Sequence, residues 1–278
     1  MENLHKPTVD SFGVEWTHFD QMKLSEEESY KIFQEYFSIF PWDEISSNSE
    51  GFDMGCGTGR WAKWIAPRVG LLNCLDPSLA LDIAKKLLHS HNNIRFYKST
   101  VDNNELKPCS QDFGYSLGVL HHVPDTNKAI QSCVNLLKEG APFLLYLYYS
   151  FENRPIWFRY LWILSNLGRK LICRLPAFMI FFVTDLIALS IYLPLAKLSK
   201  VCSKLGLSVH NIPLNYYRNH SFYTMRTDSR DRFGTPLEKR FTKNQILSMM
   251  QNAGLINFTI SENLPYWCVL GYKKSSCN

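Results

Sequence analysis

The chain has 278 residues, 46% of them hydrophobic and 20% charged, which suits one medium-large globular unit or a catalytic domain with a sizeable insertion and excludes a disordered or fibrous protein. Its eight cysteines, from Cys56 to Cys277, form no CxxC or CxxH spacing, so they spell neither a disulfide framework nor a zinc site. The net charge of +5 is uneven: Phe151 to Leu205 carries eight basic residues against two acids, and the remainder is close to neutral. That basic segment is also the most apolar one, which points to a membrane surface or an amphiphilic substrate and away from nucleic acid. Charged positions run through the first thirty residues (Glu2, Lys6, Asp10, Glu15, Asp20) with no apolar core of a signal peptide. Reduced thiols in a cytoplasmic protein, at most peripheral at the inner membrane face, are the expectation.

In chain order, residues 1–50 read as a helical lead-in, with Ser25 capping Glu26-Glu27-Glu28 and an apolar stripe of Tyr30, Phe33 and Phe37. From Gly51 short apolar runs alternate with helical stretches. Strands are predicted at 51–54, 71–75, 94–97, 113–117 and 142–149, and helices at 60–66, 78–88 and 127–137. Such alternation means a parallel sheet with right-handed crossovers. Residues 243–252 predict a last helix capped by Gly254, and 256–261 and 266–272 an antiparallel strand pair. The fold class is therefore α/β, a doubly wound, seven-stranded, mostly parallel sheet. Its parts are the lead-in (1–50), a core (51–150), an insertion after the fifth strand (151–238), and the closing helix and strands (239–278).

Asp53-Met54-Gly55-Cys56-Gly57-Thr58-Gly59-Arg60 sits where a strand turns into a helix, and its glycines let the backbone approach a ligand closely. Arg60 stands where a dinucleotide fingerprint needs different spacing, and the Gly-Lys-Ser/Thr of a phosphate loop is missing. Asp76 ends the second strand, where one carboxylate can accept from both hydroxyls of a ribose. With Ser99-Thr100-Val101-Asp102 and Leu117-Gly118-Val119-Leu120-His121-His122-Val123-Pro124-Asp125, these segments stand in an order that resembles class I S-adenosylmethionine-dependent methyltransferases, the quinone and small-molecule subgroup in particular.

The resemblance implies S-adenosyl-L-methionine as cofactor, held by Asp53, Gly55, Cys56, Gly57, Thr58, Gly59, Asp76, Pro77, Ser78, Thr100, Val101, Gly118 and Leu120. Asp53 would take the methionine amino end and Asp76 the ribose. Thr100 departs from the family's common Asp in the adenine loop. The His121-His122 pair is frequently structural in that family; His121 is carried as a candidate base and His122 as an acceptor contact. No metal signature is present.

In the insertion, 156–200 is apolar with basic flanks. The 17 residues between Pro176 and Pro194, with Asp185 among them, fall short of the ~20 that a spanning helix needs. Three readings stand: a helical cap over the acceptor pocket, an interfacial element making peripheral membrane contact, or a subdomain burying its own core. The polar, aromatic stretch 211–233 reads as the lip of the acceptor site, with Tyr217, Tyr223 and Arg226 as substrate contacts and His220 and Asp231 as further bases; its alternative is a solvated hinge held by pairs such as Asp228 and Arg232. The expected function is methyl transfer to a small or amphiphilic acceptor, a glycan or lipid-linked intermediate first, and a quinone-like or other aromatic metabolite as the alternative. A non-enzymatic cofactor-binding scaffold is the distant one. Neither the acceptor atom nor the oligomeric state is legible.

Overall fold

A computed structural model describes residues 2–275. The lead-in forms two helices, α1 (Lys6–His18) and α2 (Glu26–Tyr36). Pro7 opens α1, where its missing N–H costs nothing, and Ser25 caps α2 by accepting from the Glu28 N–H. The core then runs β1 (Glu50–Met54), α3 (Ala62–Ile65), β2 (Leu71–Leu75), α4 (Ala80–Leu87), β3 (Ile94–Tyr97), β4 (Phe113–Leu117), α5 (Thr126–Leu136) and β5 (Pro142–Tyr146). The helix expected over 60–66 is shorter, because Pro67 converts its last turn to 3-10 geometry. The fifth strand was expected to reach Tyr149. It stops at Tyr146, because β4 ends at Leu117 and the antiparallel neighbour begins at Cys268; beyond it Tyr149 makes an isolated bridge to Phe241.

The sheet has seven strands in the order β3-β2-β1-β4-β5-β7-β6, where β6 is Leu255–Ile260 and β7 is Cys268–Lys273. Strands β1 to β5 are parallel, and β7 enters antiparallel between β5 and β6. The direction of winding reverses between β1 and β4. This opens a crevice at the carboxyl ends of the strands, where α/β sheets bind ligands. At the same junction Gly51 lies beside the ring of Phe113 and Gly114 beside that of Phe52. A Cβ on either glycine would stand 2.3 Å from the neighbouring ring. The last helix, α10 (Lys243–Asn252), carries a full capping box, with the Thr242 hydroxyl accepting from Gln245 N–H and the Gln245 side chain returning to Thr242.

The insertion supplies α6 (Ile156–Ile172), α7 (Ala177–Ile187), α8 (Leu193–Lys204) and α9 (Phe222–Gly234). Pro194 does not end the helix as the sequence suggested. A π-helical stretch, Ala188–Tyr192, precedes it and absorbs the hydrogen bond that proline cannot donate. The outcome is one continuous helix from Ala177 to Lys204, 28 residues, long and apolar enough by composition to cross a membrane. The length argument against a span is thereby corrected. Both α6 and α7 pack on α9, which is rich in charged and hydroxyl side chains and adds Met225 to a small apolar cluster with Tyr192 and Ala196. Cys277 lies outside the described residues.

Candidate functional site

Above the carboxyl ends of β1, β2 and β4 lies a cavity of about 860 Å³, walled by the glycine loop, the ends of β2 and β4, α1, and three insertion helices. The glycine loop is pinned where it leaves β1: Gly55 and Cys56 N–H donate to the Leu75 carbonyl at 2.8 and 3.0 Å. Gly55 adopts φ +83°, and a Cβ there would strike Val119 at 2.4 Å, so both backbone and space demand glycine. Gly57, at φ +53°, faces the Trp16 indole, which a Cβ there would meet at 3.7 Å, and donates to Asp76 Oδ2 at 2.9 Å.

Asp76 is the node of this wall. Its Oδ1 accepts from the Ser78 N–H at 2.8 Å and the Ser78 hydroxyl at 2.6 Å, while Oδ2 takes Gly57. The carboxylate therefore fixes loop and second strand as one body and still borders the cavity. Asp53 lies deeper, fully buried, and burial pushes its carboxyl up to about 8 against the lowering effect of the neighbouring Tyr115 hydroxyl. Along the same wall the hydroxyls of Thr58 and Ser99 are buried without partners. Unsatisfied groups in that position fit a polar ligand that the fold is built to receive. Of the residues expected to hold a cofactor, Gly55, Cys56, Gly57, Thr58, Asp76, Pro77, Ser78, Thr100, Val101, Gly118 and Leu120 all border the cavity, and Asp53 and Gly59 stand behind it.

The far wall is aromatic. Tyr36, Tyr146, Tyr148, Tyr149, Phe158, Trp162, Tyr192, Tyr216 and Tyr217 all face the space, and Trp16 and Trp61 border it on the loop side. Helix α9 brings two carboxylates into it from one face, Asp228 and Asp231, three residues apart. Each receives a tyrosine hydroxyl. Tyr217 donates to Asp228 Oδ2 at 2.7 Å, leaving Oδ1 without a partner, and burial raises the Asp228 carboxyl to about 6. Asp231 is more fully engaged, taking Tyr148 on Oδ2 and Thr235 on Oδ1.

The two histidines after β4 are both buried, and burial holds both well toward the neutral form. His122 borders the cavity and bonds the Leu237 carbonyl through Nδ1 at 2.6 Å. His121 stacks between His122 and Tyr148 with no partner for either nitrogen and does not reach the cavity wall.

Of the predicted lip, Tyr217 and Asp231 reach the cavity, whereas His220, Tyr223 and Arg226 face other partners. His220 is buried against Glu28, the Tyr223 hydroxyl accepts from Gln21 N–H, and Arg226 forms a bidentate pair with Asp185 at 2.7 and 2.6 Å. These three tie the insertion to the lead-in and to α7. The solvated hinge is not found either, since Asp228 pairs with Tyr217 and Arg232 with Glu238 and Ser165.

Sequence reading missed two parts of the site. Asp228 was placed only in a surface pair, although its i, i+3 spacing from Asp231 already put both on one helical face. Helix α1 was read as lead-in only, yet Thr8, Phe12, Glu15 and Trp16 close one side of the cavity. Asn3 straps it in place: its N–H donates to Asp102 at 3.0 Å, its amide to the Asp125 carbonyl at 2.7 Å, and it accepts from Asp125 N–H at 2.8 Å.

Comparison with known proteins meets this geometry at the same residues. Residues 52–145 match the family model described as a methyltransferase domain. Ubiquinone biosynthesis O-methyltransferases from Nitrosomonas europaea and Saccharophagus degradans are 35% and 33% identical over 105 residues, 37% of this chain and 43% of either relative. The chain thus aligns with less than half the length of these relatives. Among solved structures, a chain from the complex of the Haloferax volcanii Trm112 methyltransferase activator with a protein described as a methyltransferase superposes with a TM-score of 0.55 at 11% identity, over 98% of this chain and 99% of that one. A Haemonchus contortus phosphoethanolamine N-methyltransferase 2 superposes with a TM-score of 0.50 at 14% identity, over 90% of this chain and 43% of that one. At such identities the structural likeness speaks for the fold.

Proposed function

Taking the sheet and its glycine loop as a class I methyltransferase domain, we propose that the protein transfers a methyl group from S-adenosylmethionine to a hydroxyl of an aromatic, quinone-like acceptor. The observation that carries this reading is the single cavity in which the glycine loop and Asp76 form one wall and the aromatic side chains with Asp228 form the other. The relatives' printed activity supports the same acceptor class. A glycan acceptor, the first expectation from sequence, fits less well, because sugar hydroxyls need many polar partners and most of the far wall is ring surface. The compartment proposed for this activity is the cytoplasm.

The cofactor supplies an electrophilic methyl on a sulfonium, so in-line displacement asks the protein mainly for alignment and exclusion of water. Asp76 and the backbone of the glycine loop would hold the donor, and the carboxyl of Asp53, behind the loop, would attract its amino end. Trp61 and Trp16, with Arg60 stacked on both, close the loop side. Asp228 Oδ1 takes the acceptor's proton, and the Tyr217 hydroxyl on Oδ2 fixes the carboxylate's orientation.

Calorimetric titration with S-adenosylmethionine should give micromolar affinity. Absence of binding at millimolar donor overturns the reading. A base must be ionised to work, so with Asp228 titrating near 6 the rate should be flat above that pH and fall about tenfold per unit below it. In Asp228→Asn, kcat should drop ~10²–10⁴-fold while donor affinity holds. An unchanged profile in that variant moves the base elsewhere or makes it dispensable.

A further inference from the structure

The face that the insertion turns outward is apolar. Among the described residues, most large exposed apolar side chains lie between Ile156 and Leu207, with Leu164, Leu171, Phe178, Phe182 and Leu205 each about 70% exposed. Only 22% of the most apolar window of the 28-residue helix is buried. A soluble monomer rarely leaves so continuous a patch uncovered. Around it stand Arg159, Lys170, Arg174, Lys197, Lys200 and Lys204, all exposed. Basic residues bordering an apolar face match the headgroup and acyl layers of an anionic bilayer.

The same helices wall the cavity. Leu161 and Leu164 of α6 and Ile191 at the π-helical turn border the cavity and are also exposed, so the space opens between α6 and the long helix onto the apolar face. Neither helix is free to leave the body. The Arg226–Asp185 pair, the bond from the Ser229 hydroxyl to the Thr184 carbonyl and the buried Ala196 and Ser199 hold α7 and α8 along one side, and Arg169 of α6 donates to the carbonyls of Thr235 and Pro236 at 2.7 Å. Only the outer faces are available to lipid.

We propose that α6 and the α7–α8 helix lie in the headgroup-acyl boundary of an anionic membrane without crossing it, and that a lipid-soluble acceptor passes sideways from the bilayer between Leu161, Leu164 and Ile191 into the cavity. This deepens the methyltransferase reading by naming where its acceptor resides. Charge supplies the approach, apolar burial supplies the anchor, and the cavity mouth then sits at acyl depth.

The test is co-sedimentation of the full chain with phosphatidylcholine vesicles, with and without phosphatidylglycerol, and a donor titration on the same preparation. Binding is expected to the anionic vesicles and to weaken at high salt. The variant Phe178→Asp/Phe182→Asp/Leu186→Asp should lose at least ~10-fold in partitioning with its donor affinity unchanged. Phosphatidylcholine brominated high on its acyl chains should quench Trp157, which lies on the outer face of α6, and Trp157→Phe should remove that quenching. Sedimentation with neither vesicle, or sedimentation indifferent to the triple variant, overturns the proposal. So does a dimer in solution that the triple variant splits, since a second copy would then cover the face. Retention of the protein in vesicles washed with carbonate would replace the interfacial placement with a spanning one. Donor binding without vesicle binding removes this inference alone, whereas vesicle binding without donor binding removes the methyltransferase reading and leaves the membrane result standing.

Discussion

Replacing Asp76 with Ala is expected to lower affinity for S-adenosylmethionine by ~100-fold, equivalent to about 2.7 kcal/mol. Two effects add. The ionised acceptor that a ribose diol would use is lost, and hydrogen bonds to charged groups contribute ~1.5–3 kcal/mol each. The Gly57 N–H, now bonded at 2.9 Å, also loses its partner, so the loop that should cradle the donor is held to β2 by the Gly55 and Cys56 bonds to Leu75 alone. Asp76→Asn separates the two effects. It keeps the volume and one acceptor oxygen, so the loop holds better, while the charge is gone; an intermediate affinity is expected. Calorimetry well below the melting temperature measures both. Affinity within twofold of the parent in the Ala variant would show that the donor does not sit on this wall.

The second large effect is on stability and comes from the junction of β1 and β4. Gly114→Ala should destabilise the fold by about 1–3 kcal/mol, because the new methyl would stand 2.3 Å from the Phe52 ring in a core that cannot yield. Phe52 and Phe113 are both fully buried, so neither ring can swing into solvent. For a domain of this size the melting temperature should fall by roughly 2–12 °C. A double-mutant cycle tests the cause: Phe52→Leu costs stability in the parent but should cost less beside Gly114→Ala, giving a coupling of at least ~1 kcal/mol. Additive losses would place the strain elsewhere. The exchange is reciprocal across two paired positions, so Gly51→Ala against Phe113 should behave alike.

Much of the sheet was legible because its strands are framed by local signals. Strands β2, β3 and β4 fall at the expected residues: Gly70 precedes β2, Asp76-Pro77 follows it, and each run is apolar between polar turns. The cofactor wall was legible for the same reason, since the glycine loop and Asp76 are short-range motifs. The long-range parts were not. Nothing near Phe12 or Trp16 in the sequence indicates that α1 closes the cavity, because its partners are forty to over two hundred residues away. His220 and Arg226 looked reactive by type alone, yet Glu28 and Asp185, remote in sequence, commit them to structure. Pro194 was a fair stop signal by local rules. The π-helical turn overrides it, and no residue pattern announced that turn.

Helix α9 gives the insertion a consequence of its own. This helix carries Arg226, Asp228, Arg230, Asp231 and Arg232 into the interior, and Arg230 is among the most buried side chains of the chain, facing Glu15 at 3.7 Å. Ionic and hydrogen-bonding groups thus share the centre of the subdomain with a small apolar cluster around Tyr192, Ala196 and Met225, while leucines and phenylalanines clothe its outside. A saturation library across residues 156–234 should therefore read backwards. Leu, Ile, Val and Phe should exchange freely at the outer positions, and charge there should be rejected in a screen for vesicle binding but tolerated in one for donor binding. At the charged positions of α9, by contrast, apolar replacements should be the damaging ones, because they would strand the carboxylates facing Arg226, Arg230 and Arg232 and the hydroxyls bonded to Asp228 and Asp231.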